Sequence, residues 1–305
     1  MKKAIIINDL SGMGKCSLTA AIPVISVMGV QAIPLPTAVL SNQTDYDSYY
    51  CVDLTEHIDE YVSEWKKRGL HPDGIYTGFF TNAKQAEVFL KFIDAFSDEH
   101  TFLLTDPVMG DQGDVYDIYT DELLERMRKL AHRAHVITPN LTEALLLLYG
   151  KDEMLKQWQK FQNEKEVRKL GRRITEAFDL EGVVITGLDL KDQNSQSMIG
   201  TLVCEKKHGS NKTKSEQSAM NEKTVQYETR METSPKIGGS YSGTGDIFAS
   251  VICAGMLRNL SLNQCVRRAM NLIEKSLKMT EKEHTDRNDG ICFEQYLFEL
   301  AEGLK

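Results

Sequence analysis

Two kinds of apolar pattern alternate along the chain. Short runs rich in Ile, Val, Leu, Phe and Tyr occur at 3–7, 31–34, 74–76, 102–105, 136–138 and 182–185, and they read as strands. Between them lie longer stretches, such as 83–96 and 122–131, whose apolar positions recur every three to four residues and read as helices. Such alternation predicts right-handed βαβ units, hence an α/β fold with a central, mostly parallel sheet flanked by helices on both faces. Pro23 interrupts the apolar stretch 18–28, so that helix is expected to kink or to start late. From 205 to 224 the chain turns polar, with only Ala219 and Met220 apolar, and cannot be core. Its flanks, 199–204 and 224–227, alternate like strands and predict a projecting polar hairpin. That hairpin is either a passive insertion or a mobile lid over a nucleotide. With no internal repeat and no linker, residues 1–305 are expected to form a single domain.

Composition narrows the partners. A chain of 305 residues with 41% apolar content can fill a globular core, and its net charge of -8 offers no basic field for nucleic acid or an anionic membrane. The opening apolar run, Ala4 to Ile7, stops at Asn8 and is too short for a signal peptide. No later stretch approaches the roughly 20 apolar residues of a membrane span. Six cysteines without a CxxC pair indicate neither a zinc site nor a disulfide framework, and a reducing cytoplasm fits them. A small-molecule partner is the expectation.

In an open α/β sheet ligands gather beyond the carboxyl ends of the strands. There this chain is polar or glycine-rich. Ser11-Gly12-Met13-Gly14-Lys15-Cys16-Ser17 imitates a Walker phosphate loop but lacks its first glycine, having Asp9 there, and carries Cys16 where a magnesium-binding Ser or Thr is needed. It is either a tight turn without a ligand or a backbone-lined pocket for a substrate ring beside Asp9. A second stretch, 238–245, is followed at once by the helical run 247–257. Glycines there let backbone N–H groups converge on an anion at a helix start. Asp246 in the first turn either caps the helix or faces an alcohol and accepts its proton. His132 and His135 lack a third ligand, 165–173 reads as a solvated helix face, and 145–148 reads as core.

Gly243-Thr244-Gly245-Asp246 resembles the GxGD signature of the ribokinase-like superfamily. Asp106-Pro107-Val108-Met109-Gly110-Asp111 and Thr138-Pro139-Asn140-Leu141-Thr142-Glu143 resemble the DPVxGD and TPNxxE signatures of its vitamin-kinase branch. Asn8-Asp9-Leu10-Ser11-Gly12, with Leu40 to Thr44 and Tyr76 to Phe79, is similar to pyridoxal/pyridoxamine kinases in particular. The resemblance implies ATP-dependent phosphorylation of a 5-hydroxymethyl group on a vitamin B6 ring, with Asp246 as base and Gly243, Thr244 and Gly245 as anion hole. It implies ATP contacts at Asn140 and Thr186, and a ring pocket lined by Asp9, Thr44 and Tyr116. Asp111 and Glu143 would serve magnesium, Glu143 through water, and Asp106 with Thr138 would hold a monovalent cation, potassium. A homodimer is also implied. The alternatives are a hydroxymethylpyrimidine kinase of the same fold and a binding protein that has lost turnover.

Overall fold

The structure, a computed structural model, describes residues 1–207 and 226–304. Its strands are β1 (Lys3–Met13), β2 (Gln31–Asn42), β3 (Cys51–Asp53), β4 (Gly74–Thr77), β5 (Phe102–Thr105), β6 (Gly110–Asp111), β7 (Asp114–Val115), β8 (Val136–Ile137), β9 (Gly182–Lys191), β10 (Ser197–Lys206) and β11 (Tyr227–Pro235). Its α-helices are α1 (Ser17–Val27), α2 (Ile58–Lys67), α3 (Ala83–Phe96), α4 (Asp121–Arg133), α5 (Leu141–Tyr149), α6 (Lys151–Gln157), α7 (Glu164–Ala177), α8 (Thr244–Leu257) and α9 (Leu262–Glu283). Nine strands form one sheet in the order β11-β10-β9-β8-β5-β4-β1-β2-β3, and β6 and β7 form a small ladder of their own. The strands from β9 to β2 run parallel, while β10, β11 and β3 pair antiparallel at the two margins.

The sequence of β1 explains why the sheet is sandwiched. Ala4, Ile5, Ile6 and Ile7 are all fully buried, because alternate residues feed two cores. Ile5 and Ile7 join Phe89, Leu123, Leu145 and Leu170 from α3, α4, α5 and α7 on one face. Ala4 and Ile6 join Leu18, Val251 and Val266 from α1, α8 and α9 on the other. Burying each large side chain contributes about 1.5–3 kcal/mol, so both helix layers are tied to the same central strand.

Several strands outrun their apolar runs. β1 continues to Met13 and β2 to Asn42, pairing Leu10 with Val39 and Ser11 with Leu40 beyond a bulge between Asn8 and Leu10. Pro34 and Pro36 are tolerated in β2 because β3 reaches only Ala38 to Leu40, so no outer strand seeks their missing N–H. The late start expected for the Pro23 helix is overturned. α1 begins at Ser17 with Pro23 inside it, and burial of Leu18, Ala20, Ala21, Val24 and Ile25 outweighs the lost backbone bond. The hairpin is present, with β10 and β11 paired as far as Lys206 opposite Tyr227. Most of the segment read as a lid, residues 208–224, lies outside the described residues. Among the described residues no helix is long and apolar enough to cross a membrane, and all six cysteines are free thiols.

The two discounted histidines do structural work. His132 packs its ring against Phe178, with centroids 4.8 Å apart, and His135 Nδ1 accepts the Leu103 N–H at 3.0 Å.

Candidate active site

The second glycine-rich stretch meets the first at the start of α8. Gly243 is the N-cap of that helix with φ of +79°, and a Cβ there would stand 1.9 Å from the Lys15 carbonyl oxygen. Only glycine meets both demands. Asp246 is therefore not the cap but the third residue of the helix. The backbone N–H groups of Gly243, Thr244, Gly245 and Asp246 find no acceptor among the described residues. A Cβ on Gly245 would come no nearer to anything than 3.9 Å, to Asp106 Oδ2. Unpartnered amides beside open space at a positive helix end are suited to an anion.

Asp246 is held among neutral donors. Asn8, fully buried in β1, donates its amide to Asp246 Oδ1 at 2.9 Å. Burial is the main force raising the Asp246 pKa, to about 6. The Asp9 charge adds to the rise, and the Ser17 backbone N–H and the Asn8 amide oppose it. The result is a carboxylate ionised at neutral pH yet far more basic than an exposed one. Asp9 itself is 5% exposed, and both its oxygens are taken, by Ser11 Oγ at 2.7 Å and Ser17 Oγ at 2.5 Å. Ser17 holds φ of +48°, a left-handed conformation that costs a β-carbon residue energy and commonly marks a working site.

A second acidic group stands at the ends of β5 and β8. Asp106 accepts the Thr138 hydroxyl at 3.0 Å, and burial, then the Asp246 charge, raises its pKa. Glu143 closes a capping box on α5: one of its oxygens accepts the Asn140 N–H at 2.9 Å, while Glu143 N–H donates back to Asn140 Oδ1 at 3.0 Å. Its other oxygen accepts Met109 N–H at 3.2 Å, so Glu143 is better placed to hold water than to bind a metal directly. Its pKa is raised by burial and then by Asp106. Asp111 is half-buried, its Oδ1 accepting Gln112 N–H at 2.8 Å. Among the described residues no ion pair joins any of these carboxylates to a Lys, Arg or His.

Whether this set suits magnesium follows from its chemistry. Among the described residues no three His, Cys, Asp or Glu side chains form a cage. Buried and half-buried carboxylates without cationic partners, Asp106 and Asp111 each with one oxygen unengaged among the described residues, match an ion that keeps waters and phosphate oxygens in its shell. The residues present fit.

The remaining expected residues divide between the two groups. Asn140 donates its amide to the Gly110 carbonyl at 2.7 Å and bridges to Thr186, whose N–H bonds the Pro139 carbonyl at 3.0 Å. Tyr116 is on the Asp111 side, 42% exposed, with its phenol pKa raised by burial and then by Glu143 and Asp111. Thr44 is exposed in the loop after β2, which Tyr46 ties to Asp289 and Gln43 ties to the Asn288 carbonyl at 3.3 Å. Asp9 lies beside Asp246. Sequence reasoning gave no part to Asn8 or Ser17. The signal was a lone amide closing an unbroken aliphatic run.

Comparison with known proteins settles the family. The sequence profile described as phosphomethylpyrimidine kinase matches residues 14–290. The chain belongs to that family. Among solved structures it is similar to a Bacteroides thetaiotaomicron protein assigned to the phosphomethylpyrimidine kinases and crystallised with pyridoxal. The two are 32% identical with a TM-score of 0.83, covering 98% of this chain and 95% of that one. The pyridoxal kinase of Lactobacillus plantarum shares the fold at a TM-score of 0.79 and 24% identity, with 98% and 96% of the two chains covered. The pyridoxine/pyridoxal/pyridoxamine kinase of Bordetella avium is 26% identical over 275 residues, 88% of this chain and 81% of that protein. The ribokinase-like expectation holds for this family member, and so does its character as a kinase.

Proposed function

We propose that this phosphomethylpyrimidine kinase family member transfers the ATP γ-phosphoryl group to the 5-hydroxymethyl oxygen of pyridoxal, pyridoxamine or pyridoxine. The observation that carries the reading is Asp246, poised as a base beside the unpartnered amides at the start of α8. The substrate hydroxyl gives its proton to the Asp246 carboxylate as its oxygen bonds to the γ-phosphorus, and the bond to the ADP oxygen breaks. The Gly243, Thr244 and Gly245 amides, with that of Asp246, receive the charge on the moving phosphoryl oxygens. Asn140 and Thr186 flank the remaining phosphates, and Asp9, through Ser11 and Ser17, shapes the wall of a ring pocket that Thr44 and Tyr116 complete. Asp111, with Glu143 acting through water, would hold magnesium, which neutralises phosphate charge when bound. Asp106 and Thr138 would hold potassium. Pyridoxal bound to the Bacteroides relative supports the B6 ring over other alcohols.

Hydroxymethylpyrimidine is the second reading, favoured by the family profile itself. The deciding measurement is ADP release with Mg-ATP and each alcohol in turn. A kcat/KM for pyridoxal at least tenfold above that for hydroxymethylpyrimidine is expected, and the reverse order overturns the assignment.

We further propose one catalytic domain over 1–305, working in the cytoplasm as a homodimer. The free thiols fit a reducing compartment. Leu10, Val39 and Val52 are 36%, 40% and 41% exposed and form one row across β1, β2 and β3, which gives a second copy an apolar seat.

A further inference from the structure

We infer that Asn8 is a positioning residue for phosphoryl transfer: its amide, fixed by two backbone donors, aims the Asp246 carboxylate at the substrate hydroxyl. The inference deepens the proposed function and rests on its assignment of Asp246 as the base.

Three observations fix the amide. Its Oδ1 accepts the Asp9 N–H at 3.1 Å and the Phe79 N–H at 2.9 Å. Two N–H donors can face only an oxygen, so the orientation of the amide is determined by its partners. Its NH₂ is thereby turned to Asp246 Oδ1 at 2.9 Å. Gly78 confines it from the side, since a Cβ there would lie 2.6 Å from Asn8 Nδ2. The side chain is fully buried and has one way to sit.

The backbone explains how it reaches the site. In a regular strand Asn8 and Asp9 would point to opposite faces. The bulge between Asn8 and Leu10 breaks that alternation, and both side chains serve the same helix layer, Asn8 at α8 and Asp9 at α1. The other titratable groups that face Asp246 are poorly suited to orient it. Asp9 and Asp106 repel it and the Cys16 thiol is buried; the buried Tyr76 hydroxyl faces Asp246 and favours its charged form less than Asn8 does, standing beyond hydrogen-bond distance. Asn8 is the side-chain donor within hydrogen-bond distance of the carboxylate, and it holds Oδ1 while the Ser17 backbone N–H also favours the charged form.

A double-mutant cycle tests this. Asn8→Asp keeps the shape and the acceptor for both backbone N–H groups while replacing the donor to Asp246 with a second carboxyl group that repels it. It should lower kcat by about 10–100-fold with KM for ATP within about twofold, the pattern of a lost charged hydrogen bond acting on the chemical step. In an Asp246→Asn background the same change should cost less than about twofold, because there is no carboxylate left to aim. If Asn8→Asp does not fold, Asn8→Ser, whose hydroxyl both donates and accepts, is read in the same cycle, with a partial kcat loss expected. Losses that multiply in the double variant, or a normal kcat for the Asn8 variants beside a collapsed Asp246→Asn, overturn the role of Asn8 alone. A near-normal kcat for Asp246→Asn by itself overturns the base assignment and this inference with it.

Discussion

Two glycine-rich stretches stand side by side at the strand ends, and they use glycine in opposite ways. In the first, a Cβ on Gly12 would lie 2.7 Å from the Ser41 carbonyl oxygen and one on Gly14 would lie 2.6 Å from the Gln43 side chain. These glycines let protein approach protein. In the second, Gly243 does the same against Lys15, but a Cβ on Gly245 would meet nothing nearer than Asp106 Oδ2 at 3.9 Å. The lesson is that a glycine needed by the fold is betrayed by a neighbour, and one kept for a ligand by the lack of one. The two stretches also treat their acids differently: Asp9 is engaged at both oxygens by the Ser11 and Ser17 hydroxyls, whereas Asp246 is held by the Asn8 amide and the Ser17 backbone N–H.

The contrast can be broken experimentally. Asp246→Asn should cost about 10²–10⁴ in kcat, the usual range for a lost general base, with KM for ATP little changed in steady-state assays. The parent enzyme should show the same group in its pH profile. Because burial raises Asp246 to about 6, kcat/KM should hold at neutral pH and fall about tenfold per unit well below that value. A flat profile down to pH 5 contradicts it.

Gly243→Ala tests the structural glycines. With φ of +79° and the Lys15 carbonyl at 1.9 Å, it should destabilise the fold by about 2–4 kcal/mol, read as a lowered midpoint in urea. Asp111→Asn should raise the magnesium needed for half-maximal turnover about tenfold, and overlaid titrations of variant and parent would exclude it as a ligand. Gly245→Ala sharpens the comparison most, because the two explanations part company. It should leave Tm unchanged or slightly higher, since Ala favours a helix by up to about 1 kcal/mol, while lowering kcat several-fold by placing a methyl beside the anion hole. A loss of Tm without loss of kcat would reverse our reading of that glycine.

What could be read from the sequence follows from what each residue answers to. The aliphatic runs of β1, β4, β5 and β9 respond only to burial, so their cores were plain. Their far ends were not, because Asn8 to Met13 and Pro36 to Asn42 are polar or proline-containing and still pair. There the needs of the site override the needs of a strand, and the apolar pattern stops where the chemistry starts. The glycine-Asp246 stretch was legible because glycine before a helix has few other uses. Asn8 was not, since its meaning depends on Phe79 and Asp246, 71 and 238 residues away. The N-x-x-E spacing of Asn140 and Glu143 was read through family resemblance, although it is equally a capping box, and the structure has both Glu143 oxygens in that local service and at Met109.

The crowd of carboxylates carries a thermodynamic debt. Asp9, Asp106, Glu143 and Asp246 all have folded-state pKa values above their ordinary ones, with burial the first cause in each case. Such groups bind protons more tightly folded than unfolded, so stability is greatest when they are protonated and declines as pH rises from 3.8 towards about 6 for Asp246 and about 7 for Asp106. At neutral pH the ligand-free protein thus holds itself together against its own charge, and a cation bound there as proposed would relieve that repulsion. The melting temperature of the unliganded protein should rise on going from pH 7.5 to 6, and Mg-ATP should flatten the slope; a slope of the opposite sign would show that these acids are already neutralised within the fold.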